Sequence, residues 1–194
     1  MIQAGFESTD PFTGTRLVVI EGAKETDGWG WIIEVHCPEE APPAILEHVH
    51  LTWKETFEIL HGEARYVLGG KERFATTGDT IIMPAGIKHI HPWNGGTTEM
   101  VYRQMNDFGR SCPEAVHDVL GAFATINGMA REGKIGKKGL PKNPLQFAAT
   151  LRTFTKHKSF DAAVPIFAQR IASASFGRLA ETFGYQGVYP RYLK

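Results

Sequence analysis

The chain has 194 residues, 21 Lys+Arg against 21 Asp+Glu, 42% hydrophobic residues and only 2 Cys. The apolar fraction is too high and the net charge too low for a disordered chain, and the length fits one domain with an appendage. Cys37 and Cys112 cannot form a disulfide framework, and no apolar run approaches the roughly 18 residues of a membrane span. The first residues lack a basic region followed by an apolar one, so the expectation is a cytoplasmic protein with no membrane span.

Charge is unevenly distributed. Residues 1–104 carry 15 Asp+Glu and 8 Lys+Arg, and residues 105–194 carry 6 and 13, giving the two parts net charges of −7 and +7. Either these are two solvated faces, or the basic part docks on the acidic one, in the same chain or in a second copy; a homodimer is the expected assembly. The densest basic stretch, 131–142, is interleaved with Gly and holds no aromatic residue, which argues against nucleic acid.

Short strands separated by turn signals are predicted at 15–20, 28–36, 44–50, 55–60, 64–68, 72–76, 79–84, 88–93 and 98–106, with Gly69-Gly70 as a hairpin signal. Many short strands at this spacing predict an antiparallel sandwich or barrel over 1–106, including an N-terminal arm. The period then changes, and 107–194 reads as an extension of about three α-helices. Ser111-Cys-Pro-Glu114 has capping-box spacing, and Asn143-Pro144 is a second cap-plus-Pro start. The third helix begins near Pro165 and carries Ala172, Phe176, Leu179, Ala180 and Phe183 on one face. Phe176, Leu179 and Phe183 are expected to be buried against the barrel or a second chain, and 132–142 is a Gly/Lys loop between the first two helices.

Of the 8 His, five (His48, His50, His61, His89 and His91) fall within 48–91. Clustered imidazoles beside carboxylates are the raw material of a metal site. On a strand, His48 and His50 share one face with Cα atoms roughly 7 Å apart, a separation that two imidazoles on one cation can bridge. Glu55 begins the next run after a turn and returns beside the pair. His89, His91 and Trp93 share the face of a strand that starts after the turn Pro84-Ala-Gly86. Three nitrogens and one carboxylate oxygen leave open positions on an octahedral ion, which suits catalysis better than a closed structural role. His61 lies six residues beyond Glu55, too far along a strand to join them.

At these residues the sequence resembles the cupin superfamily. Its first motif, H-x-H-x(3,4)-E-x6-G, is matched by His48, His50, Glu55 and Gly62, and its second, G-x5-P-x-G-x2-H, by Gly78, Pro84, Gly86 and His89. Two departures are visible: Pro42 stands where a Gly usually precedes the first motif, and Asn94 lies one residue later than the second motif expects. The resemblance covers 15–106 and implies a conical double-stranded β-helix, or jelly-roll, barrel with the metal inside. It also implies His48, His50, Glu55 and His89 as the ligands of one divalent ion, Fe(II) or Mn(II) ahead of Zn or Ni. The spacing to Gly86 then puts His91 in a substrate pocket, at a different height from His89. Phe57, Trp93 and Tyr102 are candidates for lining that pocket, with burial in the core as the alternative.

Three functions are compatible with this reading. The first is an oxygenase acting on a small apolar or aromatic substrate. The second is a non-redox isomerase, cyclase or lyase with His91 or a neighbour as base, and the third a non-enzymatic metal-dependent binding protein. No catalytic residue is identifiable from spacing alone.

Overall fold

The structure is a computed structural model that describes residues 2–136 and 139–193. Two antiparallel sheets pack face to face. The first has the order β1 (Glu7–Thr9), β2 (Arg16–Glu21), β3 (Gly30–Cys37), β10 (Met100–Asp107), β5 (Lys54–His61), β8 (Thr80–Met83). The second has the order β11 (Ser159–Asp161), β4 (His48–His50), β9 (His89–Asn94), β6 (Glu63–Leu68), β7 (Lys71–Thr76). This is a jelly-roll sandwich followed by helices, as the strand spacing predicted.

Alternation explains the core. On β3, Trp31, Ile33 and Val35 face inward, and Phe57 and Ile59 on β5, Met83 on β8 and Tyr102 on β10 meet them. Gly69 and Gly70 both have positive φ and turn β6 into β7, with Leu68 opposite Lys71. The predicted strand over 44–50 shrinks to His48–His50, because Pro42-Pro43 leaves the preceding segment without strand pairing.

The helices are α1 (Pro113–Arg131), α2 (Pro144–Lys156) and a third run made of α3 (Ile166–Ala172), a π turn (Ser173–Gly177) and α4 (Arg178–Thr182). Helix α1 buries Val116, Val119 and Leu120 in the same core as the sheets. The expected capping box at its start is not formed. The N-cap is Cys112, with no side-chain cap bond, because the Ser111 hydroxyl donates instead to the Asp27 carbonyl at 2.6 Å. At α2 the expected cap is present: Asn143 Oδ1 accepts from the Leu145 and Gln146 amides. Of the Gly/Lys loop 132–142, Ile135 bridges to Pro141, and Lys137 and Lys138 lie outside the described residues.

Two features depart from the sequence expectations. The extension contributes a strand as well as helices: β11 pairs with β4 in the register Ser159↔His50, Phe160↔Val49, Asp161↔His48. Phe176, Leu179 and Phe183 are not buried on the barrel but exposed, and only Ala180 of the predicted face is inside. The inner seam of the third run is Gln169, Ser173, Gly177 and Ala180, turned toward α2. The π turn takes in an extra residue and shifts the phase of the helix, which a uniform period of 3.6 does not anticipate.

Candidate metal centre

Three strands bring the site together. The pairing His48↔His89 sets β4 beside β9, and β5 lies across the sandwich with Glu55 opposite Asn106 of β10 and Met83 of β8. The turn residues of the two motifs serve this arrangement. Gly62 has φ +84, and a Cβ there would meet the Glu99 carbonyl at 2.8 Å, so only Gly closes β5 into β6 at that point. Gly86, at φ +80, donates its amide to the His50 carbonyl at 2.7 Å and ties the second motif to the first.

Side-chain atoms of His48, His50, Glu55, His89 and His91 suited to metal ligation all lie within 4.8 Å of one another, and all five residues are buried. Glu55 is the hub, and its two oxygens have different partners. Oε2 faces the imidazoles, with Nε2 of His91 at 2.9 Å, of His89 at 3.0 Å and of His50 at 3.4 Å. Oε1 accepts from the Gln104 amide at 2.9 Å and the Asn106 amide at 2.8 Å, and Gln104 also donates to Asn106 Oδ1 at 2.8 Å. Two imidazoles are oriented by backbone: Nδ1–H of His48 donates to the Leu46 carbonyl and Nδ1–H of His89 to the Ile87 carbonyl, each at 2.8 Å. That fixes the tautomer and turns each Nε2 lone pair toward the cluster.

Electrostatics agree with a cation site. Burial, reinforced by His91, His50 and His89, holds His48 well below the ordinary imidazole range, and burial lowers His50 as well. Burial alone would raise Glu55, but the His91 and His50 imidazoles outweigh it and hold the carboxyl well below its usual range. A neutral His48 and His50 beside an ionised Glu55 are the protonation states in which these groups ligate metal. His50 leaves both ring nitrogens, and His91 its Nδ1, buried without a hydrogen-bond partner, an expense a bound cation would offset at the ligating atom. Burial pushes the nearby Cys37 thiol up to about 12, so the donor set is nitrogen and oxygen without thiolate.

His48, His50, Glu55 and His89 are thus brought together. So is His91, which does not sit at a separate height: its ring is stacked on that of His89 at 5.6 Å, within 6° of parallel, and both reach the same Glu55 oxygen. The cause lies in β9, where Ile90 pairs with Val67 but Trp93 with Arg65, so one extra residue is taken up around His91-Pro92. This bulge also accounts for Asn94. One residue late in the motif, it still arrives buried, donates to the Cys37, Pro38 and Thr98 carbonyls and accepts from the Gly96 amide. The same shift leaves Trp93 half-buried instead of on the His89 face. A crevice of about 20 Å³, room for one water, is lined by Thr15, Cys37, Ile45, His91, Trp93 and Tyr102 among others. Phe57 is fully buried against His91 and Tyr102, with ring centroids 5.0 and 5.6 Å away, and acts as core. Gln104 and Asn106 were absent from the sequence expectations. Their signal was the alternation Tyr102-x-Gln104-x-Asn106, which puts two amides on the inward face of an apolar strand.

Residues 37–103, which contain every motif position from His48 to His89, match the family described as Cupin domain. No curated protein matches the chain. Similar solved structures include one described as a predicted oxalate decarboxylase from Thermotoga maritima, at 18% identity and TM-score 0.44 over 48% of this chain and 80% of that one. Another, a sugar phosphate isomerase from a cupin superfamily of Silicibacter pomeroyi, has 17% identity and TM-score 0.44 over 55% of this chain and 71% of that one. A third, an uncharacterized conserved protein with a double-stranded β-helix domain from Klebsiella pneumoniae, has 23% identity and TM-score 0.40 over 49% and 77%. Within the double-stranded β-helix of this chain, residues 37–103 are a cupin domain.

Proposed function

We propose that the chain is a mononuclear metal-dependent oxygenase acting on a small apolar or aromatic organic molecule. The observation that carries the proposal is the buried cluster of four imidazoles and one carboxylate, all within 4.8 Å, with Glu55 held by Gln104 and Asn106 on its outer oxygen. His48, His50, Glu55 and His89 would hold one divalent ion; a nitrogen and oxygen donor set with no thiolate accommodates Fe(II) or Mn(II), the ions an oxygenase calls for. Such an ion would supply Lewis acidity and one-electron redox chemistry to a molecule brought to the cluster. The chain's own part is to wall the cluster with Phe57 and Tyr102 and to keep His48 and His50 neutral by burial. Of the cluster, His91 alone lines the crevice, beside Trp93 and Tyr102, so it is the group nearest a substrate, which must widen this one-water space to enter.

A second reading, a non-redox isomerase, cyclase or lyase, is favoured by one observation: His91 Nδ1 is buried with no partner and is free to take a proton. A homodimer is part of the main proposal, supported by the large apolar side chains the extension leaves exposed. The discriminating experiment is metal analysis of protein purified without chelators, followed by oxygen uptake with a panel of small aromatic and aliphatic substrates. Bound iron or manganese with substrate-dependent oxygen uptake supports the oxygenase. Substrate turnover under anaerobic conditions at the same rate overturns it in favour of the second reading.

A further inference from the structure

The third helical run has the wrong side out for a free surface helix. Its inner seam is small: Ser173, Gly177 and Ala180 are buried, and a Cβ on Gly177 would lie 2.8 Å from Arg152 Cβ on α2. Its outer face carries Phe167, Ile171, Phe176, Leu179 and Phe183, which are 68, 64, 62, 46 and 65% exposed. Steps of four from Phe167 to Ile171 and from Leu179 to Phe183 keep one face in an α-helix. The step of five from Ile171 to Phe176 would break it, but it crosses the π turn Ser173–Gly177, which absorbs the extra residue. The turn that brings the small residues onto α2 therefore also keeps the large ones in a single outward stripe.

We infer that this stripe packs on the same stripe of a second copy of the chain, antiparallel, about a two-fold axis near Phe176. The inference rests on the homodimer part of the proposed function and deepens it by naming the surface. Two observations favour a second copy. At roughly 150–250 Å² per large side chain, the exposed parts of the five residues come to about 450–750 Å², which reaches the lower part of the roughly 600–1,000 Å² per partner of a specific interface. A continuous apolar patch of that size marks an interaction site on a chain that must stay in solution.

The test uses the full chain in sedimentation velocity at micromolar concentration. A dimer is expected for the unaltered chain, and a monomer, with dimerisation weakened at least 100-fold, for Phe176→Glu and separately for Ile171→Glu. Both replacements are on exposed positions, so far-UV circular dichroism and metal content should not change. Phe176→Cys should cross-link to itself under mild oxidation, since Cys37 and Cys112 are buried and give no background. A monomeric unaltered chain overturns the homodimer and the surface together, whether or not it pellets with vesicles of 70% phosphatidylcholine and 30% phosphatidylglycerol. A dimer that survives both Glu substitutions, or in which Phe176→Cys fails to cross-link, overturns this surface and leaves the homodimer standing.

Discussion

Glu55 divides its oxygens between the cluster and two amides, and this division gives the most specific residue-level expectations. Replacing Gln104 or Asn106 by Leu removes a donor to Oε1, frees the carboxylate to rotate and should weaken metal binding about 10–100-fold with little change in fold. Titration of the metal-free protein with Mn(II) or Fe(II) reads this directly; unchanged affinity in both variants would mean the amides do not orient the ligand. His89→Ala should strip the metal, whereas His91→Ala should retain most of it and lose turnover by about 10–100-fold. Equal loss of metal in the two would make His91 a fifth ligand, which its 2.9 Å approach to Glu55 also permits. Acidity gives a third test. His48 and His50 are held below their ordinary value of 6.5, so under acid the unfolded chain binds protons that the folded one refuses. Their contribution to stability is complete above pH 6.5 and is lost as the pH falls below it; the depressed Glu55 adds a further loss below its ordinary 4.5. The melting temperature of metal-free protein should therefore fall between pH 7 and pH 5, and a flat profile would contradict neutral buried imidazoles. That the four motif residues come together was legible because strand parity and turn chemistry act within a few residues. Gln104 and Asn106 were not, since only the pairing of Asn106 with Glu55 brings residues some 50 positions apart into contact.

At the scale of elements, the strand bearing His48 and His50 is only three residues long and pairs with β9 at a single position, His48↔His89. Its other edge is held by β11, with the Leu51 amide on the Lys158 carbonyl and the Ala162 amide on the Glu47 carbonyl. Gln169 secures the strap by accepting from the Asp161 amide and donating to the Asp161 and Val164 carbonyls. Phe160, buried at the centre of the strap, is thus expected to matter twice. Phe160→Ala should cost about 3–5 kcal/mol of stability and also lower metal affinity, although Phe160 is not in the cluster. Calorimetry and metal titration below the melting transition separate the two effects; full affinity in a destabilised variant would show that β11 does not position β4. Nothing in the local sequence announced this strand. Three residues between a helix and a Pro-led helix carry no period, and their partner lies more than 100 positions earlier. The β9 bulge was equally hidden, yet its trace was the misplaced Asn94.

For the whole molecule, the opposite charges of the two halves do not explain how they dock. Among the described residues the ion pair that joins them is Lys54 with Asp107, which sets a base of the acidic half against an acid of the basic half. The join is apolar, through Val116, Val119 and Leu120 of α1 in the core of the sheets. Ending the chain after residue 110 should therefore abolish stable folding at neutral pH, while raising salt to 1 M should change the melting temperature of the full chain little. The jelly roll was legible because each strand is set by local alternation and turns. The outward stripe was not, because its phase depends on the π turn.

The central claim is that one metal is held by the cluster around Glu55, and elemental analysis by mass spectrometry tests it most directly. About one divalent ion per chain is expected in the unaltered protein and close to none in the His48→Ala/His50→Ala double variant, which removes two of the four motif ligands. A double variant that keeps its full metal content, or an unaltered protein that binds no divalent ion when offered one, would contradict the account.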